Sequence, residues 1–231
     1  RQMCIRDSFN TAVGTSALTS VTTADNNTAF GYSAGQEITT GTGNTAVGVQ
    51  SLDAATTANY NTAFGHAAMS TNTSGTENTG LGSQAMYATT TGSNNTGIGS
   101  QALYANTTGA SNTAVGMQSL DANTTADNNT AVGYQALSAN TTGTANTAVG
   151  QHALLSNTTA NDNTAVGRLS LQANTTGAGN SGLGANTFLS NTTGASNAAV
   201  GAYALDANTT GSNNVGVGYA ALGANTTASN N

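Results

Sequence analysis

Residues able to do acid–base or metal chemistry are few in this chain, with nine carboxylates and two histidines, His66 and His152, among 231 residues. Asp53, Asp121 and Asp206 fall at the same place in a 17-residue period but never in neighbouring copies, so they cannot share a proton or a cation. The two histidines occupy different places in the period, some five copies apart, which excludes a shared metal. No nucleophile, base and orienting group recur together. The expectation is therefore a chain with no catalytic, cofactor or metal residues, and not an enzyme.

Two other patterns resemble functional motifs. GLGSQA at Gly80–Ala85 and GIGSQA at Gly97–Ala102 match the dinucleotide-binding fingerprint. That fingerprint works only between a strand and a helix of a βαβ unit, whereas here it arises because Gly stands for Ala at one place of the period. Asn-Thr-Thr at Asn106, Asn123, Asn140, Asn157, Asn174, Asn191, Asn208 and Asn225 fits the acceptor pattern for N-glycosylation. A turn supported by Asn and Thr side chains accounts for the same residues and is the simpler reading.

What positions all these residues is a repeat. NTAVG at Asn112–Gly116 returns every 17 residues from Asn10 to Asn214 without an insertion, and Asn231 opens a further copy. A fixed period of this length is the signature of a solenoid, in which each copy is one turn stacked on the next. Within the copy, place one is Asn, place three Ala or Gly, place four a large apolar residue and place five Gly. Place nine is Leu, Met or Phe except at Gly35, and place thirteen is Thr. Short β-branched runs broken by Gly exclude helices and predict two short strands per coil joined by tight bends. The fold class expected is all-β: a parallel β-solenoid of thirteen 17-residue coils over residues 9–231, read as a fragment of a longer protein. Residues 1–8, RQMCIRDS, lie outside the register and read as a non-native leader; they hold the only cysteine, Cys4, so no internal disulfide can form.

Alternation along TAV sends Thr and Val to one face and Ala to the other. The large residues Val115, Val132 and Val149 are expected inside, with the place-nine column. The small residues Ala114, Ala131, Ala148 and Ala165 are then expected on the outside, as a tight oligomer interface. Variation at places six, seven, ten, sixteen and seventeen marks the exposed columns, and Tyr87 and Tyr104, at place ten of adjacent copies, form the candidate surface contact. A net charge of −6 with three basic residues argues against nucleic acid as a partner, and no apolar run is long enough for membrane insertion as a helix.

The repeat N-T-A-V-G-x-x-A-L over residues 10–231 resembles the YadA-like head repeats of trimeric autotransporter adhesins, and equally the NTAVGYQAL repeats of tail-fibre-like surface proteins. Its coil is longer than that family's usual one, by an Asn-Thr-Thr-Gly turn. The resemblance implies a left-handed β-roll, a homotrimer around an axis, and attachment to a host-surface glycan or matrix protein. The implied location is extracellular, at the cell surface on an outer membrane-anchored parent protein, or on a virion fibre. The function expected is an adhesin or receptor-binding fibre segment acting by multivalent contact. A structural spacer of a fibre and an ice-binding solenoid are the alternatives, the last because the coils repeat Thr at places thirteen and fourteen.

Overall fold

A computed structural model describes residues 9–231; the leader 1–8, including Cys4, lies outside the described residues. The chain is a parallel β-solenoid of thirteen three-residue strands, one per repeat, with no helix among the described residues. A first compact unit, ending at Asn112, carries β1 (Thr11–Val13), β2 (Thr28–Phe30), β3 (Thr45–Val47), β4 (Thr62–Phe64), β5 (Thr79–Leu81) and β6 (Thr96–Ile98). A second, Thr113–Asn231, carries β7 (Thr113–Val115), β8 (Thr130–Val132), β9 (Thr147–Val149), β10 (Thr164–Val166), β11 (Ser181–Leu183), β12 (Ala198–Val200) and β13 (Val215–Val217). Within each unit neighbouring strands pair in parallel and in register, Ala29 on Ala46 in the first and Ala131 on Ala148 in the second.

The coil Asn146–Asp162 shows how the sequence bends. Its strand, Thr147–Val149, stops at Gly150, whose φ of 133° only glycine adopts readily. A Cβ there would also stand 2.6 Å from the carbonyl oxygen of Gly167. His152, Leu154 and Asp162 then take left-handed conformations, with φ of 57°, 51° and 60°. Each such residue costs about 1–2 kcal/mol in isolation. Here each N–H donates to another coil: His152 to Tyr134 O at 3.0 Å, Leu154 to Ser170 O at 3.0 Å, Asp162 to Thr144 O at 3.1 Å. Alternating left-handed residues at places seven and nine curl the second apolar segment, so it is a run of turns. The expected second strand is absent from every described coil.

The strands also face the other way from expectation. Ala114, Ala131, Ala148 and Ala165 have 0% exposure within the chain itself, whereas Val132 is 36% exposed and Phe30 57%. The Ala column lies inside the coil and leaves no surface there for a second chain, which corrects its assignment as an oligomer interface. Val115 and Val149 are half-exposed on the outer face, not buried. The physical reason is the width of the coil, which the place-nine column already fills: Leu52, Met69, Met86, Leu103, Leu120, Leu137, Leu154, Leu171, Phe188 and Leu205 are fully buried, as expected. Opposite them there is room for a methyl group at most. Gly80 stands against Met69, where an added Cβ would meet Met69 Cγ at 3.2 Å, and at Gly97 it would meet Met86 Cγ at 2.7 Å.

Two buried asparagine ladders complete the interior. At place one, the Asn44 N–H and Nδ2 both donate to Asn27 Oδ1, at 2.9 and 3.0 Å, and Nδ2 also donates to Ala58 O at 2.7 Å. At place twelve, Asn157 Nδ2 donates to Asn140 Oδ1 at 3.0 Å and to Ala160 O at 3.1 Å. Asn106, Asn123, Asn140, Asn157, Asn174, Asn191 and Asn208 are all buried, so the Asn-Thr-Thr repeats are turns, and these asparagines are closed to glycosylation in the folded chain.

Candidate contact surface

Alternation places the first and third residues of each strand, in most coils Thr and an aliphatic residue, side by side on the outer face, at places two and four. Neither column holds a charged residue in any coil. In the second unit β7 to β10 repeat the same row, Thr113 with Val115, Thr130 with Val132, Thr147 with Val149 and Thr164 with Val166, in parallel register. In the first unit the face is bulkier, with Phe30 57% and Phe64 52% exposed, beside Tyr32 and Val49 at place six. This is an uncharged sheet face with aliphatic and aromatic side chains open to water along successive coils.

On another side of the first unit runs the place-ten column. The hydrogen bonds Glu37 N–H to Asp53 O, Ala54 N–H to Ser70 O, Thr71 N–H to Tyr87 O and Ala88 N–H to Tyr104 O, at 2.9 to 3.3 Å, set Asp53, Ser70, Tyr87 and Tyr104 one above another. Tyr87 and Tyr104, the pair singled out from sequence, are brought together as parallel rings with centroids 5.3 Å apart and planes 9° apart. Both are half-buried. Asp53 Oδ1 is buried without a hydrogen-bond partner. Burial pushes the Asp53 carboxyl above its ordinary range, with a smaller push from Glu37, against the opposing pull of its own and Ala54's backbone N–H groups. Asp121 in the second unit is raised by the same cause, and its Oδ1 is likewise buried and unpartnered.

The remaining sequence candidates are dispersed. His66 is exposed in the first unit. His152 lies in the second, its ring tilted against Tyr134 at 5.2 Å. Among the described residues no three of His, Cys, Asp and Glu gather as metal ligands would. Gly80 and Gly97 sit inside β5 and β6, with turns and no helix after them, so GLGSQA and GIGSQA are coil segments and not phosphate cradles. The Thr column at place thirteen has its hydroxyls turned along the stack, Thr141 Oγ1 donating to Thr158 O at 3.1 Å and Thr192 Oγ1 to Thr209 O at 3.1 Å. Reading the sequence missed the outward aliphatic column and the step in side-chain size at Ser70. The second was legible in principle from the order Asp, Ser, Tyr, Tyr down one place of the repeat.

No family model matches the chain, and no curated protein or solved structure matches it either.

Proposed function

We propose that this chain is a segment of an extracellular fibre or adhesin, assembled from copies of itself and acting by multivalent contact with a host-surface glycan or matrix protein. The observation that carries the reading is the uncharged outer sheet face with aliphatic or aromatic side chains along the stack, 57% exposed at Phe30 and 52% at Phe64. Such a face is matched by a second copy, because its rows repeat at the same spacing and no charge on either copy is left unpaired. The homotrimer proposed from the likeness to YadA-like heads packs through this Thr–aliphatic face, and the variable columns at places six and ten, Tyr87 and Tyr104 among them, turn outward. The arrangement is non-catalytic and extracellular in this reading.

Sedimentation of the full chain tests it. The expected result is an oligomer at micromolar concentration that a Val132→Lys, Val149→Lys pair converts to a folded monomer, since both side chains point to solvent and carry little of the coil's own stability. A wild-type monomer would refute self-association. A second reading has its own observation: four identical Thr-x-Val rows in β7–β10 repeat hydroxyl and methyl groups in parallel register. Such an array suits an ordered water lattice, as in an ice-binding solenoid. A monomeric chain that inhibits ice recrystallisation would favour that reading, and one without effect on ice would remove it.

A further inference from the structure

We infer that Arg168, with Gln151 and Tyr134 in the same column of the second unit, is the docking point for a glycan that ends in one carboxylated sugar. The inference rests on the adhesive reading above and gives it a ligand class.

The three residues hold place six of successive coils. The hydrogen bonds His152 N–H to Tyr134 O at 3.0 Å, Leu169 N–H to Gln151 O at 3.0 Å and Asn186 N–H to Arg168 O at 2.9 Å join each coil to the next at this level. Tyr134, Gln151 and Arg168 therefore stand one above another. At one coil spacing per step, the backbones of Tyr134 and Arg168 are roughly 9–10 Å apart along the stack, the span of two linked sugar rings. All three residues are exposed, Tyr134 by 38%. The His152 ring tilts against Tyr134 at 5.2 Å and buttresses it. Beyond Arg168 the column carries only Ala185 and Ala202, so no larger side chain at place six crowds the guanidinium from that side. In the assembly proposed above place six turns outward, and the stripe stays open there.

The chemistry selects the ligand. Arg168 is the only lysine or arginine in residues 9–231. Among the described residues no carboxylate pairs with it and no hydrogen bond occupies its guanidinium. A guanidinium fork takes a carboxylate through two parallel N–H···O bonds, stronger than bonds between neutral groups. Gln151 offers amide donors and a carbonyl acceptor to ring hydroxyls, and Tyr134 an apolar ring with a polar tip. Charge decides how many carboxylates the ligand carries. The chain has a net charge of −6, and a single cation neutralises a single carboxylate. A polyuronate, with a carboxylate on every ring, would set further charges against Gln151 and Tyr134, where nothing neutralises them. A neutral glycan would leave the guanidinium unpaired. One terminal carboxylated sugar on an otherwise neutral glycan meets both conditions. Single-site affinity is low for an exposed ion pair, and copies of the chain in one assembly multiply it.

The decisive variant is Arg168→Gln, which removes the charge from an exposed side chain and should keep the wild-type melting curve. Binding of the full chain to immobilised sialyllactose is compared with binding to lactose, to the methyl ester of sialyllactose and to polygalacturonate. The expected result is binding to sialyllactose that weakens as salt is raised, and little to the other three. Arg168→Gln should bind sialyllactose at least ~fivefold more weakly. Arg168→Lys, which keeps the charge and loses the fork, should weaken it by a smaller factor. Equal binding by wild type and Arg168→Gln would overturn the site. So would equal binding to the methyl ester or to polygalacturonate, or no binding to sialyllactose at all. Sedimentation of the same samples separates the two proposals. An oligomer that ignores sialyllactose sinks the docking point and leaves the assembly, whereas a monomer that binds it does the reverse.

Discussion

Replacing one rung of the place-one ladder measures how much the buried amides hold the coils together. Asn146 is suited because every partner lies in its own unit. Its N–H and Nδ2 donate to Asn129 Oδ1 at 2.9 and 3.2 Å, Nδ2 donates to Ala160 O at 2.8 Å, and Oδ1 accepts from Asn163 N–H at 3.1 Å and Asn163 Nδ2 at 3.3 Å. Asn146→Ala removes the four bonds made by the side chain. Ala160 O keeps a donor in Asn157 Nδ2 at 3.1 Å, but the buried Asn163 N–H loses its acceptor. An orphaned buried group costs about 1–3 kcal/mol and each other lost bond about 0.5–1.5 kcal/mol. The sum is roughly 2.5–7.5 kcal/mol, a large fraction of a typical domain's stability.

Asn146→Asp tests the direction of the bonds. It keeps the acceptor for Asn163 and replaces the donor that faces Ala160 O and Asn129 Oδ1 with a second oxygen. The buried carboxyl then has a folded pKa above its unfolded value. Its protonated form, which can donate, stabilises at pH below the ordinary aspartate range, and that stability is lost as pH rises through the raised value. Urea unfolding followed by circular dichroism at pH 4 and pH 7 separates the two variants. Asn146→Ala should lose the same amount at both, and Asn146→Asp more at pH 7. A loss under ~1 kcal/mol for the alanine variant, or a pH-independent aspartate variant, would refute the ladder as the element that joins coils.

Asp121→Asn should stabilise at neutral pH by up to ~1 kcal/mol, limited by solvent screening of a half-exposed group. Burial raises the Asp121 carboxyl, so the wild type loses stability as pH rises through that value, and the variant's melting temperature should not follow the same fall. Gly97→Ala overpacks the coil against Met86 Cγ and should cost about 1–3 kcal/mol. Adding Met86→Leu restores the pairing carried at Leu137 and Ala148 and should recover most of that loss in a double-mutant cycle. Gly35→Leu should be severe alone, because a Cβ at Gly35 would meet Ile38 Cδ1 at 2.9 Å and Leu18 Cδ2 at 3.0 Å. Ile38→Ala should offset it, so that the pair melts closer to wild type than either change alone.

The period and the parallel stacking were legible because a 17-residue register without insertions admits little else. Which face of TAV turns inward was not legible from alternation alone, since a shift of one residue exchanges the two faces. The rule that large apolar residues go inside chose the valines. What decides against it is volume, for the Leu column at place nine already occupies the coil, and only Ala or Gly fits opposite. The bends were hidden for a different reason. Leu and Gln are not residues that announce φ > 0, and they adopt it here because each N–H finds a carbonyl in an adjoining coil. Tyr87 and Tyr104 could be paired from sequence because place ten recurs in register, but the parallel stacking of their rings needed the structure.

The second coil shows how strictly volume governs this interior. Gly35 replaces the large residue at place nine, where the backbone keeps its left-handed φ of 58°. Ile38 replaces the place-twelve Asn and is 1% exposed, its Cδ1 reaching the space that a Leu at Gly35 would fill. The flanking residues Val21 and Ala55 stand where every later coil but that of Thr89 has the ladder asparagine, and are also buried. An asparagine at Ile38 would have found no amide above or below it, and an unpaired buried amide costs more than an aliphatic side chain of similar size. The departure that made this repeat look irregular is therefore a paired exchange. The place-twelve amide ladder is absent from the first three coils, and the apolar volume lost at Gly35 returns three residues later at Ile38.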